Sequence, residues 1–339
     1  MKRFIDLAET TPEERAALLE LAARLDKHPE PQALAGKVLG MLFFNPSLRT
    51  VASFQAAMGR LGGASFIITP GTGTWKLEHR NGIAMDGDAA EHVREAVPVL
   101  ASYADVLGIR AFAGGIDLEA DLKERRFMEM AELCPVPLIN LESAVNHPCQ
   151  ALGDWKTMDE LGVPAQGGRF VLSWANHPSP LPLAVPAAVV HMAALRGMDV
   201  TVLRPDGYAL PEPIMARARA AAAASGGSLH ETEDREEATR GAHVIYAKSW
   251  ASTRYYGRPA DDRALRRGLE HWMVRESWFD NAAAEAIFMH CLPVRRNVVV
   301  ADEVLDGARS RVLPQARNRM TIQMAILHRL LAGRGEQGR

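Results

Sequence analysis

Short apolar runs alternate with helix-period segments along almost the whole chain, and that alternation constrains the fold more than any other feature. "KVLGMLFF" (37–44) is followed by a stretch in which Val51, Phe54, Met58 and Leu61 recur at helical spacing. Then come "ASFIIT" (64–69), a helical pattern near 91–104, "VLGIRAF" (106–112), a further helix and "VPLINLE" (136–142). After a helix from about Pro148 the pattern restarts with "RFVLSWA", "MDVTVLRP", "SLHETED", "HVIYAKSW" and "AIFMHCLP". Short strands alternating with helices imply βαβ units. The fold class is therefore α/β, two domains each with a parallel sheet flanked by helices. The expected division is 1–145 and 146–313, with an amphipathic C-terminal helix at about 314–333 packing back on the first domain.

The 339 residues suit two domains of ordinary size. Lys+Arg 39 against Asp+Glu 41 is near balance, which gives no general case for nucleic acid or an anionic membrane. An anion site must then be local. The N-terminus lacks the apolar core of a signal peptide. "LPLAVPAAVVHMAAL" (181–195) is short for a membrane span and reads as a core helix. Three cysteines without metal-like spacing suit a reduced, cytoplasmic setting. The eleven histidines show no H-x-x-x-H pattern, so no metal is expected, and no cofactor.

In open α/β sheets, ligands collect beyond the carboxyl ends of the strands. Ser47-Leu48-Arg49-Thr50 follows the first strand and opens a helix. Free N–H groups and the positive end of the helix dipole favour an anion there, hydroxyls add donors, and Arg49 offers a planar fork. The plain alternative is an N-cap serine. Arg110 lies inside an apolar strand and needs either an ion-pair partner or a ligand. "HPCQ" sets His147 and Gln150 at a helix start, where imidazole and amide donors suit a carbonyl oxygen gaining charge. "HCLPVRRN" carries Cys291, for which nothing in the sequence supplies a base; it reads as a small buried hydrophobe. Arg295 and Arg296 stand beside the expected cleft and favour an anion contact. Glu142 closes its strand and either holds an ammonium or caps a turn. Trp75, in a Gly/Thr-rich loop, is a lid or an interface anchor.

Together, "FFNPSLRT", the strand-end Arg110, "HPCQ" and "HCLP", in this order, resemble the aspartate/ornithine carbamoyltransferase superfamily over nearly the whole length. The resemblance implies two α/β domains around a cleft and a homotrimer in which a neighbouring subunit's loop closes each site. It implies that carbamoyl phosphate is held by Ser47, Leu48, Arg49, Thr50, Arg110, His147, Gln150 and Arg319. The backbone at Cys291 and Leu292 would orient the amine, and Trp75 would come from the next subunit. Arg49, Arg110, His147, Gln150 and Cys291 would form the catalytic group. The small-molecule substrates would be carbamoyl phosphate and an ornithine-like amine.

"HCLP" resembles the ornithine branch, yet the Ser-Met-Gly loop of ordinary ornithine enzymes is replaced by "YAKSWAS" (246–252). With "WKLE" and "MDGD" this resembles the acylornithine branch, in which Glu142, His177, Lys248, Leu292 and Arg295 would contact the acylated substrate. Acetyl-users resemble M-D-G-D-x-E-E-H; here Ala90 replaces the first of those glutamates, removing a charge and bulk that would oppose a succinyl carboxylate. Val299 stands where acetyl-users place a lysine. Both differences favour a succinyl substrate, and acetyl is the alternative. Ser179 departs from the usual H-P-[KR]-P-L. A non-catalytic binder of phosphorylated metabolites is the alternative from another class. A dinucleotide enzyme is disfavoured by the lack of a G-x-G-x-x-G turn.

Overall fold

The computed structural model describes residues 1–332. They fall into two compact units. The first comprises Met1–Ala113, Lys123–Cys149 and the chain from Arg319; the second comprises Gly114–Leu122 and Gln150–Asn318.

The first unit contains β1 (Arg3–Phe4), β2 (Val38–Phe43), β3 (Ala64–Ile68), β4 (Lys76–Glu78), β5 (Ala89–His92), β6 (Val106–Arg110) and β7 (Leu138–Glu142). Its main sheet has the order β1-β7-β6-β2-β3, and every pairing is parallel. Strands buried on both faces are largely apolar, which is why β2 and most of β6 read as hydrophobic runs, whereas Arg110 at the end of β6 and Asn140 and Glu142 in β7 are buried polar exceptions. Gly40 lets β2 sit in this sheet. A Cβ there would lie 2.6 Å from a Leu107 methyl and 2.7 Å from the Phe66 ring.

Helices α1 (Pro12–Lys27), α2 (Leu48–Arg60) and α3 (Val93–Ser102) belong to this unit. α1 begins with a reciprocal capping box between Thr11 and Glu14, and Pro12 occupies its first turn. α2 is capped by Ser47 and buries Phe54, Ala57 and Met58 on one face. The short α4 (Leu118–Leu122) lies in the segment that clusters with the second unit, and α5 (Arg125–Glu132) returns to the first. The boundary between units falls within α6 (Pro148–Glu160), after Cys149.

The second unit holds β8 (Arg169–Trp174), β9 (Asp199–Leu203), β10 (Ser228–Thr232), β11 (Val244–Lys248) and β12 (Ile287–Met289). They form an all-parallel sheet in the order β10-β9-β8-β11-β12. α7 (Ala184–Leu195) is apolar all round and buried from Ala184 to Ala194, as a core helix must be. α8 (Glu212–Ser225), α9 (Arg235–Thr239), α10 (Pro259–Arg266) and α11 (Asp302–Leu305) complete the unit. α12 (Val312–Leu331) starts in the second unit and passes into the first at Arg319; residue 333, the expected end of this helix, lies outside the described residues. No helix among the described residues is long and apolar enough to cross a membrane.

Both sheets reverse direction once. In the first, the chain moves from β2 outward to β3, then crosses to β6 on the other side of β2. In the second, β9 and β10 are added on one side of β8, and β11 and β12 on the other. The crevices at the carboxyl ends of β2/β6 and of β8/β11 are therefore the topological switch points, where open sheets place ligands.

Candidate active site

At the first switch point the β2–α2 connection is built on backbone acceptors. The Asn45 side chain accepts the Phe112 N–H at 2.9 Å, and its carbonyl accepts Arg110 Nε at 3.2 Å. Pro46 then sets up the turn, and the Ser47 hydroxyl caps α2 by accepting the Thr50 N–H at 3.3 Å. Leu48 is 77% exposed, so its side chain contributes nothing to the core. Thr50 is buried, and its Oγ1 lies 2.9 Å from Ser47 Oγ and accepts from Arg319 Nη2 at 2.9 Å. That contact brings a residue from the end of the chain onto the start of α2. Arg49 follows Leu48 on the same first turn, half-buried.

Arg110, at the end of β6, is buried and ion-paired to Glu142 at the end of β7. Its guanidinium also lies 4.4 Å from the Phe112 ring centroid. His147 Nε2 sits 3.4 Å from the same Glu142 carboxylate. Glu142 thus joins Arg110 and His147 in the first unit. Burial pushes the neighbouring Cys149 thiol up to about 12, which leaves it protonated at neutral pH.

The Trp75 loop belongs to this unit as well. Trp75 is 57% exposed, and its indole N–H donates to Glu91 at 2.8 Å. It stands just before β4, which pairs with β5 in parallel. Lys76 pairs with Ala89 but Leu77 pairs with Glu91, so Ala90 is the extra, exposed residue of a bulge. Lys76 closes the loop by an ion pair to Asp88 at 2.5 Å.

The second switch point is cationic. His177 follows β8 and Lys248 ends β11. Arg295 Nε donates to His177 Nε2 at 3.2 Å, and His177 Nδ1 lies 2.9 Å from the Ser179 carbonyl and 3.1 Å from the Ser179 backbone nitrogen. Burial, with Arg295, Lys248 and Arg266 nearby, holds the His177 imidazole below its usual pKa against the opposing Ser179 contact. The Lys248 ammonium bonds to none of the described residues, and no carboxylate is paired with Arg295 or His177 among them. Arg296 is committed elsewhere, to Asp302 and Asp306.

Gln150 is buried, and its Nε2 donates to Asp154 Oδ1 at 2.7 Å. Gln315 donates to the same oxygen at 2.8 Å and accepts the His290 N–H at 2.9 Å. The His290 ring in turn accepts the Leu292 N–H at 2.9 Å, next to a cis Leu292–Pro293 bond, with Leu292 itself at φ 54. Cys291 is buried between them.

Residues 2–160 match the profile of the aspartate/ornithine carbamoyltransferase carbamoyl-P binding domain, and 185–330 match the Asp/Orn binding domain of the same family. The chain belongs to the aspartate/ornithine carbamoyltransferase family. Among relatives of this carbamoyltransferase, the N-acetylornithine carbamoyltransferase of Xanthomonas campestris pv. campestris is 37% identical over 334 residues, 98% of each chain. The N-succinylornithine carbamoyltransferase of Bacteroides thetaiotaomicron is 33% identical over 98% of this chain and 99% of that one. A solved N-acetyl-L-ornithine transcarbamylase, with one glutamate replaced by alanine and complexed with carbamyl phosphate and N-succinyl-L-norvaline, superposes with a TM-score of 0.93. It is 37% identical and covers 97% of this chain and all of that one.

Sequence reasoning about the carbamoyltransferase missed the supports of the site. Asn45 was legible only as half of an Asn-Pro turn, although it positions Arg110. Asp154 and Gln315, which orient Gln150 and the His290 turn, lie mid-helix and near a helix start without any local signal.

Proposed function

We propose that the protein transfers the carbamoyl group of carbamoyl phosphate to the δ-amine of an acylated ornithine, with N-succinyl-L-ornithine preferred over the N-acetyl compound. The phosphate sits at the start of α2. The first-turn N–H groups of a helix and the positive end of its dipole suit an anion, and Arg319 donating to Thr50 Oγ1 leaves the Thr50 proton to be given to it. Arg110 and His147 face the carbamoyl oxygen. Gln150, whose Nε2 is directed to Asp154, has Oε1 available to accept from the carbamoyl –NH₂.

The neutral amine attacks the carbonyl carbon as a C–N bond forms. Negative charge develops on the oxygen, the C–O bond to phosphate breaks, and the displaced amine proton leaves with the phosphate. An alkyl ammonium has a pKa of about 10.4. A site that already gathers Lys248 and Arg295 disfavours one more cation and so favours the reactive neutral amine. The remainder of the barrier is lowered by alignment and by preorganised donors aimed at the developing oxyanion. The active assembly is a homotrimer, with Trp75 on its exposed loop serving the neighbouring subunit, and the enzyme works in the cytoplasm in arginine biosynthesis.

The observation that carries the succinyl reading is Ala90, small and uncharged, at an exposed bulge in the Trp75 loop. The nearby carboxylates are already engaged, Glu91 by Trp75 and Asp88 by Lys76. The cations Lys248 and Arg295, beside a neutral His177, suit an acceptor with an additional carboxylate. The relative in which a glutamate became alanine and which holds a succinyl ligand supports the same reading. The acetyl alternative is favoured by the higher identity to an acetyl enzyme and by Ser179, which leaves this stretch without the cation of the H-P-[KR]-P-L pattern it resembles.

The test compares kcat/KM for ornithine, N-acetylornithine and N-succinylornithine with the protein and with Ala90→Glu. Succinyl dominance that shifts towards acetyl in Ala90→Glu supports the reading. An unchanged ratio removes Ala90 from it, and acetyl dominance in the unaltered protein reverses the preference.

A further inference from the structure

We propose that Glu124 is a positioning residue for the carbamoyl-phosphate side of the site, holding the turn at 143–146 and, through it, His147. This rests on the carbamoyl transfer proposed above. Glu124 occupies the N-cap of α5, where an acidic side chain ordinarily accepts from its own helix's first N–H groups. It makes no such bond. Its backbone lies in the left-handed region at φ 51, which glycine adopts more readily than any residue with a Cβ. A glutamate is thus kept where neither its backbone nor its own helix gains from it.

The carboxylate reaches across to another segment instead. Oε1 accepts the Val145 N–H at 3.0 Å and the Ser143 hydroxyl, and Oε2 accepts Asn146 Nδ2 at 3.0 Å. All of these donors belong to the one turn between β7 and α6, closed by Ser143 N–H donating to the Asn146 carbonyl at 2.9 Å. Ser143 and Asn146 are buried, so the bonds are shielded from water. Asn140 adds a bond to Ser143 Oγ at 2.7 Å, and Asn146 Nδ2 also reaches Asp6 at 3.1 Å. Glu142 precedes this turn and His147 follows it, and the two side chains meet 3.4 Å apart.

Strain held at a non-glycine residue points to a constraint the surroundings enforce. Here the constraint falls between two side chains of the site. Loosening the turn lets the imidazole move relative to Arg110 and Glu142, and a misplacement of about 1 Å can lower a rate about a hundredfold.

The experiment compares Glu124→Gly, which relaxes the backbone while deleting the carboxylate, with Glu124→Gln, which keeps one acceptor oxygen. Both are measured by thermal unfolding and by steady-state kinetics against each substrate. In Glu124→Gly the KM for carbamoyl phosphate should rise about tenfold and kcat fall about tenfold. The KM for the acylornithine should stay within about twofold, and Glu124→Gln should fall between the parent and Glu124→Gly. Unchanged constants overturn the proposal. So does a lower kcat with both KM values unchanged, which reports only lost folded protein, and so does an equal rise of both. Should Glu124→Gly not fold, Glu124→Gln decides by the same KM readout. If the parent transfers to no acceptor, the proposed reaction is wrong, and calorimetric titration with carbamoyl phosphate decides separately. Binding about tenfold weaker in the variant supports the positioning role, and equal affinity overturns it.

Discussion

In the reaction proposed above, Arg110 serves structure and chemistry together. A guanidinium in an apolar strand must be paired, and Glu142 pairs it while Asn45 and Pro46 offer carbonyls. Arg110→Ala should lower kcat/KM by about 10²–10³, the loss typical of a donor to a developing oxyanion. It should also cost about 3–5 kcal/mol of stability, because Glu142 loses its cation. Arg110→Met with Glu142→Gln should recover much of that stability, read as Tm, while remaining inactive. Recovery of activity in the double variant would remove Arg110 from the chemistry. At the second switch point, His177 must be neutral for Nε2 to accept from Arg295. Its pKa is held below the ordinary 6.5, so protonation needs a lower pH than in a free imidazole. Expressed per neutral amine, so that the amine's own titration at about 10.4 is removed, the KM for the acylornithine should therefore stay level as pH falls to about 6.5 and rise only below it. A rise centred at or above 6.5 would contradict a neutral His177. From the sequence these residues were legible as polar groups at strand ends. Their partners were not, because a partner such as Glu142 for Arg110 is chosen by sheet register rather than by any spacing along the chain.

The start of α2 separates two properties that one serine carries. Ser47 caps the helix, and its hydroxyl lies where an anion would bind. Aspartate caps as well as serine does and complements the helix dipole. Ser47→Asp should therefore keep or slightly raise Tm while raising the KM for carbamoyl phosphate more than about tenfold, since a carboxylate repels phosphate at that distance. Equal KM values would reduce Ser47 to a cap. The longer strands and helices were readable because buried parallel strands and amphipathic helices impress their periods on the sequence. The short β1, β4 and β5 were not, since strands of two to four residues carry no period. Trp75 read as loop, and β4 begins just after it.

For the molecule as a whole, the proposal that the Trp75 loop serves a neighbouring subunit gives a direct expectation. Trp75→Ala and Arg110→Ala should each be nearly inactive, and dissociating and reassembling them together should restore part of the activity. In such mixtures some sites take an intact Arg110 from one subunit and an intact Trp75 from another. No recovery, under conditions where subunits demonstrably exchange, would place Trp75 in its own subunit's site. The sequence by itself determined the α/β class, the succession of strands and helices, and the residues that follow the strands. Those are local consequences of burial, periodicity and turn chemistry. Only the tertiary structure decided that β2/β6 and β8/β11 are the switch points and that Gly114–Leu122 clusters with the second unit. It also decided that Arg319 reaches Thr50 across most of the chain, and that Glu124 clamps the turn before His147. These are contacts between segments far apart in sequence, and periodicity within a segment carries no information about which distant segment it will meet.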